Sequence, residues 1–298
     1  MTDTSAAAAG AESASEAAST SAPAHDPIGH LSPTLLEGHV AFITGGGSGI
    51  NLGIARAFAR CGAAIAICGR TEEKLATAAE DLRGFGAQVA YRTADVRDAE
   101  ALQAAVDHAV SELGDISITV AGAAGNFFAK AEEMSSNAFR TVVDIDLMGA
   151  YHAARATFPS LQRTRGSILF ISASQAYKAT KYQAHVGAAK AGIEMLMKDL
   201  AVEWGPHGIR SNSLVPGPVA GTEGMSRLAG PTGDDMWRRA VPLGRYAETE
   251  EIGAMAAVLS GPLGAYVTGS QYTVDGGLGL VGSGHISDAV EKALFADE

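Results

Sequence analysis

Short uninterrupted apolar runs alternate along this chain with longer stretches in which apolar residues recur at helical spacing. Val40-Ala41-Phe42-Ile43 and Ala64-Ile65-Ala66-Ile67-Cys68 are runs of the first kind and predict buried strands. Between them a glycine loop leads into a helix expected from about Leu52 to Arg60. Leu75, Ala78, Ala79 and Leu82 then share a helix face, as do Leu102, Ala105, Val106, Ala109, Val110 and Leu113 after Asp98. Further strands are predicted over 88–91, 116–120, 168–171, 210–214 and 271–274, and further helices over 136–161, 185–204 and 248–259. The alternation, without an internal repeat, predicts an α/β fold: a single doubly wound parallel sheet (Rossmann fold) with helices on both faces.

Residues 1–30 break this texture, being rich in Ala and Ser and carrying Asp3, Glu12, Glu16 and Asp26 with no Lys or Arg. Such a segment cannot bury enough apolar surface to offset its ordering entropy, so a disordered tail is expected there. A second tail is expected over 281–298. The 22 Lys and Arg against 33 Asp and Glu leave a net charge of −11, which argues against a nucleic-acid-binding face and a membrane-surface role. No apolar run reaches the roughly 18 residues of a membrane span, and the first Lys or Arg, Arg56, comes too late for a secretory signal. Cys61 and Cys68 form neither a CxxC pair nor a metal-ligand set. No metal site is expected, and the thiols fit a reducing compartment. The ending Phe295-Ala296-Asp297-Glu298 is no peroxisomal address, and a cytoplasmic protein is expected.

Thr44-Gly45-Gly46-Gly47-Ser48-Gly49-Ile50 lies between the first strand and first helix. There the backbone N–H groups of Gly45, Ser48, Gly49 and Ile50, with the helix N-terminus, are expected to hold a pyrophosphate. Asn51 stands where the usual T-G-x-x-x-G-x-G pattern has its last glycine, so this position must accept a side chain, with Gly53 relaxing the packing. Gly69-Arg70 offers no carboxylate for a ribose 2′-hydroxyl, whereas a guanidinium pairs bidentately with a 2′-phosphate. NADPH/NADP is therefore favoured over NADH; Arg70 as a solvated residue at a helix start is the alternative. Asp95-Val96, after the third strand, is placed to cap the adenine ring.

Together with Lys190, Pro216-Gly217 and the closing Tyr266-Val267-Thr268-Gly269 and Val274-Asp275-Gly276-Gly277, these segments resemble the short-chain dehydrogenase/reductase family over about residues 37–280. That family's catalytic Asn, Ser, Tyr and Lys would fall on Asp146, Ala173, Val186 and Lys190, of which only the lysine is kept. Its sheet-bracing Asn-Asn-Ala-Gly is here Ala121-Gly122-Ala123-Ala124. A degraded enzyme or a branch with different chemistry would both fit. Ala123-Ala124-Gly125-Asn126-Phe127, Asn137-Ala138-Phe139, Val143-Asp144-Ile145-Asp146, Gln183-Ala184-His185, Ala201-Val202-Glu203-Trp204-Gly205-Pro206 and Gly221-Thr222-Glu223-Gly224-Met225 resemble the peroxisomal type of 2,4-dienoyl-CoA reductase. That subgroup also lacks the Ser and Tyr and has Asp at the Asn position.

The resemblance implies an NADP-dependent oxidoreductase of CH–CH groups in fatty acid metabolism, acting on an acyl-CoA-type substrate, with a 2,4-dienoyl-CoA as the expected one. A ketone needs an acid beside the forming alkoxide. In a dienoyl thioester the charge spreads into a dienolate that needs only hydrogen-bond donors, and a positioned water can protonate carbon. Lys190 would hold the nicotinamide ribose and Asp146 would orient that water, unless Asp146 is only a helix brace. Asn126 and Phe127 are candidates for the thioester and acyl chain, with loop packing as the alternative for Phe127. Gln183 and His185 could donate to an oxygen in place of the tyrosine, or His185 could be a satisfied core residue. By resemblance, Ala123, Pro216, Gly217 and Val219 would border the cofactor, with Thr222 near the diphosphate, and Arg227 on a mobile lid would bind a CoA phosphate. A homotetramer is expected. The competing functions are a carbonyl reductase with Tyr177 or Tyr182 as displaced acid, and a non-catalytic NADPH-binding scaffold.

Overall fold

Val40–Thr44 (β1) is buried at every position because it runs through the middle of the sheet, between Ala64–Gly69 (β2) and Ile118–Ala121 (β4). With Val89–Thr93 (β3), Ser167–Ile171 (β5), Arg210–Pro216 (β6) and Gln271–Val274 (β7), it forms a seven-stranded sheet in the order β3-β2-β1-β4-β5-β6-β7. All neighbours pair in parallel. The chain changes direction between β1 and β4, and this switch point puts the crevice at their C-terminal ends. The computed structural model describes residues 26–230 and 233–282.

The two-residue period of β1 divides the core. Ala41 and Ile43 pack with Gly49–Arg60 (α1) and Thr249–Ser260 (α9); Val40 and Phe42 pack with Ala99–Leu113 (α3) and Gly149–Thr164 (α5). Glu72–Arg83 (α2) covers β2 and β3. Ser136–Val143 (α4), Ala184–Trp204 (α6), Glu223–Ala229 (α7) and Asp234–Ala240 (α8) are the other α-helices among the described residues. The seven predicted strands are all present. Gly53 serves a different contact from the one expected: a Cβ there would lie 2.4 Å from Thr249 Cβ, and one on Gly253 2.7 Å from Ala57 Cβ. The two glycines thus allow α1 and α9 to cross closely.

The helix predicted over 136–161 is α4 and α5 joined by a π turn at Asp144–Met148. A π turn carries an extra residue per turn, a local irregularity that a period-3.6 pattern does not reveal. It carries Asp146, only 1% exposed. Of the expected tail, residues 1–25 lie outside the described residues. Residues 26–30 are packed: Ile28 is buried in a 3₁₀ turn and Asp26 pairs with Arg60. All but 281 and 282 of the second tail is likewise outside the described residues. Among the described residues no helix is long and apolar enough to cross a membrane, and no group of three or more His, Cys, Asp or Glu could hold a metal.

Candidate active site

A cleft of about 820 Å³ opens at the C-terminal ends of the strands, and the glycine loop forms its floor. Gly45 (φ +70°) and Gly49 (φ +59°) occupy backbone conformations that side chains disfavour. A Cβ on Gly46 would lie 2.5 Å from Ile67 Cγ2, so the loop can hug β2 only as glycine. The extended residue before α1, Ser48, makes no side-chain capping bond. Its hydroxyl and the first N–H groups of α1 are thus free to face an anion.

Every residue predicted for the cofactor lines this cleft: Gly45, Ser48, Gly49, Ile50 and Arg70 on one side, Asp95, Val96 and Ala123 beyond them, and Lys190, Pro216, Gly217, Val219 and Thr222 opposite. Arg70 is exposed and has no hydrogen bond among the described residues. Lys74, in the first turn of α2, also lines the cleft, and sequence reasoning missed it. Asp95 is held by Arg97 at 2.6 Å, and that contact keeps its carboxyl below the usual range. Thr222 caps α7 by accepting from the Met225 N–H at 3.2 Å, and its Cβ is 3.9 Å from where a Cβ on Gly49 would lie. It therefore flanks the glycine loop.

The other end of the cleft centres on an ion pair. Lys190, 6% exposed, projects from α6, donates to the Ile171 carbonyl at 2.9 Å and lies 3.2 Å from Asp146 Oδ2. Asp146 Oδ1 accepts from the Gly125 N–H at 2.7 Å. Val186, one turn before Lys190, is buried against Val142 and Ala189 and offers no proton. Beyond Gly125, Asn126 reaches the cleft wall, and its Oδ1 is buried without a partner. Gln183 donates to the Phe127 carbonyl at 2.8 Å. The Phe127 ring lies 4.3 Å from the His185 imidazole.

Unpaired buried polar atoms collect here: Asn126 Oδ1, Ser172 Oγ, Gln183 Oε1 and both ring nitrogens of His185. Buried side-chain polar atoms normally find partners, so this concentration marks a place where a ligand or ordered water completes the bonding. Burial holds the His185 imidazole below its usual value, so it is neutral near pH 7.

The structure separates some residues that the sequence grouped. Asp146, Phe127 and His185 do not form the open wall. His185, expected to donate to substrate, is fully buried against Phe127, so direct contact requires Phe127 to move. Arg227 is at the rim, but Glu223 holds its guanidinium. Tyr177 and Tyr182 are 51% and 53% exposed and lie outside the cleft wall. Ser172, Gln175, Lys178 and Lys181 line the cleft and were not anticipated. Ser172 carried the clearest available signal, since it adjoins Ala173 at the end of a predicted strand.

Comparison with known proteins agrees with this geometry. Residues 45–279 match the family model described as Enoyl-(Acyl carrier protein) reductase. The peroxisomal 2,4-dienoyl-CoA reductase [(3E)-enoyl-CoA-producing] of Saccharomyces cerevisiae is 41% identical over 271 residues, covering 90% of this chain and 93% of its own length. A probable 2,4-dienoyl-CoA reductase [(2E)-enoyl-CoA-producing] of Bacillus subtilis is 36% identical, covering 81% of this chain and 97% of its own. A gluconate 5-dehydrogenase from Burkholderia cenocepacia, solved with NADP and tartrate, superposes with a TM-score of 0.77 at 30% identity, covering 83% of this chain and 97% of its own. With the doubly wound sheet, the glycine loop and the buried lysine of α6, these likenesses make the chain a member of the short-chain dehydrogenase/reductase family, an oxidoreductase whose curated relatives include 2,4-dienoyl-CoA reductases.

Proposed function

We propose that the protein reduces a 2,4-dienoyl-CoA with NADPH, by hydride addition at the far end of the diene and protonation of carbon by water. The observation that carries this is the buried Lys190–Asp146 pair, with Val186 in the tyrosine position and unpaired polar atoms around it. The tyrosine position offers no acid for an alkoxide, while the means to hold water and polarise an oxygen are present.

A nicotinamide dinucleotide fits the cleft, because the start of α1 offers N–H groups without helical partners where a pyrophosphate would lie, although the Gly45 N–H is taken by the Cys68 carbonyl at 2.8 Å. When bound, it supplies the hydride. Arg70 and Lys74, the latter 3.6 Å from Glu223, both line the cleft and are cations suited to a 2′-phosphate, and a solved relative is titled as a complex with NADP. Lys190 holds the nicotinamide ribose and adds positive potential. Asn126 binds the thioester end, and Phe127 borders the acyl chain. Asp146, fixed by the Gly125 N–H and Lys190, orients the water that delivers a proton. Hydride at C5 and a proton at C2 leave the remaining double bond between C3 and C4, the product class named for the yeast relative. Arg227 contributes to CoA binding by exchanging Glu223 for phosphate. The exposed Met148 and Tyr151 beside Asp146, and Met195 and Val202 on α6, support a homotetramer in which other copies cover them.

The test is oxidation of NADPH by the purified protein with a 2,4-dienoyl-CoA, a 3-ketoacyl-CoA and a simple ketone, with NADH as control. Turnover of the dienoyl substrate alone, giving a 3-enoyl product by NMR, is expected. Ketone reduction would overturn the assignment, and a 2-enoyl product would overturn the protonation site. Light scattering that showed a monomer would remove the tetramer.

A further inference from the structure

The glycine loop departs from its family pattern at Asn51, and the end of β4 departs at Gly122. In space these are one change. The Asn51 Nδ2 donates to the Gly122 carbonyl at 2.9 Å. A Cβ on Gly122 would lie 2.0 Å from Asn51 Oδ1, well inside contact distance, so the Asn51 side chain fills the volume that any larger residue at 122 would need. The fit extends to the loop, since a Cβ on Gly45 would lie 2.9 Å from Asn51 Nδ2. The other backbone group of Gly122 is also held, its N–H donating to Thr44 Oγ1 at 3.0 Å, with the Ala123 N–H on the same oxygen at 3.1 Å. Thr44 and Asn51 flank the glycine loop, one at each end. Through these two side chains the loop grips both hydrogen-bonding groups of a single residue beside the reaction end.

We infer that Asn51 is a positioning residue that replaces the lost asparagine of the β4 brace from the start of α1, and that Gly122 is required to admit it. The inference rests on the cofactor reading of the cleft. Its function is to fix the pyrophosphate loop relative to the Ala123–Asn126 segment, setting where the two ends of the dinucleotide lie. The geometry explains both departures together, whereas a merely tolerated Asn51 leaves Gly122 without a reason. The Asn51 Oδ1, buried and without a hydrogen-bond partner, is packed against Gly122 and leaves no room there.

The experiment is a mutant cycle on the full chain: Asn51→Gly, Gly122→Asn and the double exchange, read by NADPH titration (fluorescence) and by steady-state kinetics. Each single change is expected to raise the NADPH Kd and KM by about tenfold with kcat at saturating cofactor little altered, and the double exchange to return within about threefold of the unaltered protein. If Gly122→Asn does not fold, the comparison of Asn51→Gly with the double exchange still decides. Unchanged NADPH affinity in Asn51→Gly, or a double variant as weak as the product of the singles, overturns the positioning role. Failure of the unaltered protein to bind any dinucleotide would sink the cofactor reading, and the positioning role with it. Binding without turnover would leave this inference standing and count against the reductase assignment alone.

Discussion

The two ends of the cleft are built on opposite principles. At the glycine loop, function comes from backbone: positive-φ glycines, a helix start and close approach to β2 make a cradle whose side chains are largely absent. At the far end, function comes from buried side chains: an ion pair, an amide clamp and several polar atoms left unpaired. A cradle of main-chain groups tolerates sequence drift as long as the glycines stay. A side-chain site can be rewritten while its lysine remains, and here the Asn, Ser and Tyr positions hold Asp146, Ala173 and Val186.

The largest expected effect breaks the far end outright. Lys190→Met leaves Asp146 buried without its cation, which costs about 3–5 kcal/mol in such pairs. Thermal unfolding should show a marked drop, and turnover should fall by at least about a thousandfold with the potential at the reacting oxygen gone. A stable and active Lys190→Met would mean that the ion pair is neither the anchor nor the catalytic centre. Asp146→Asn is milder, because the amide oxygen can still accept from the Gly125 N–H. A loss in kcat of about a hundredfold with NADPH affinity kept would assign Asp146 to proton delivery. Equal losses in kcat and affinity would make it a brace.

The cradle end is sharpened by Arg70→Ala. Without the guanidinium, NADPH should bind about thirtyfold more weakly while NADH is nearly unaffected, since only the former carries a 2′-phosphate. Titration of both cofactors separates this from general damage. Equal losses for both would assign Arg70 to structure, and no loss would leave Lys74 as the cation that matters.

The same division governs what could be read from sequence. β1, β2 and β5 follow from apolar runs, and the cradle follows from glycine spacing, because backbone constraints leave compositional traces. Lys74 escaped because its place on the cleft wall depends on how α2 seats on the sheet. The π turn at Asp144–Met148 escaped because one extra residue in a turn leaves the apolar pattern nearly intact. The sequence leaves His185 open between a substrate contact and a core residue, and in the fold it is fully buried with its ring 4.3 Å from that of Phe127. Which face of the α6 start is roofed by another loop is a tertiary fact.

His185 supplies a pH test of the far end. Burial depresses its imidazole below the ordinary 6.5, so the folded state resists a proton that the unfolded chain accepts. Its contribution is intact above about pH 6.5 and is lost as the pH falls through that value toward the folded one. His39, also depressed by burial, acts in the same direction. The melting temperature should therefore fall between about pH 7.5 and about pH 5.5, with a smaller fall in His185→Gln and in His39→Gln. An identical fall in both variants would place the acid sensitivity elsewhere.

The smallest expected effect concerns the tyrosines beside the far end. Tyr177 and Tyr182 are half exposed and outside the cleft wall, so Phe at either position removes a hydroxyl that does not line the cleft. Turnover of a dienoyl-CoA should stay within about twofold in each variant. A loss of about a hundredfold in either would restore a displaced tyrosine acid and with it carbonyl chemistry. Tyr182 has a second property to separate from its hydroxyl: a left-handed backbone, φ +68°, held where its carbonyl accepts from the Ala129 N–H at 3.1 Å. Tyr182→Gly should stabilise the protein by up to about 1 kcal/mol if that strain is its main effect, because glycine adopts this conformation freely. The turn it holds joins the Ala129 segment to the start of α6 and so keeps the Gln183 amide on the Phe127 carbonyl. A stabilised Tyr182→Gly with normal turnover would show that the backbone, and not the side chain, sets this side of the site.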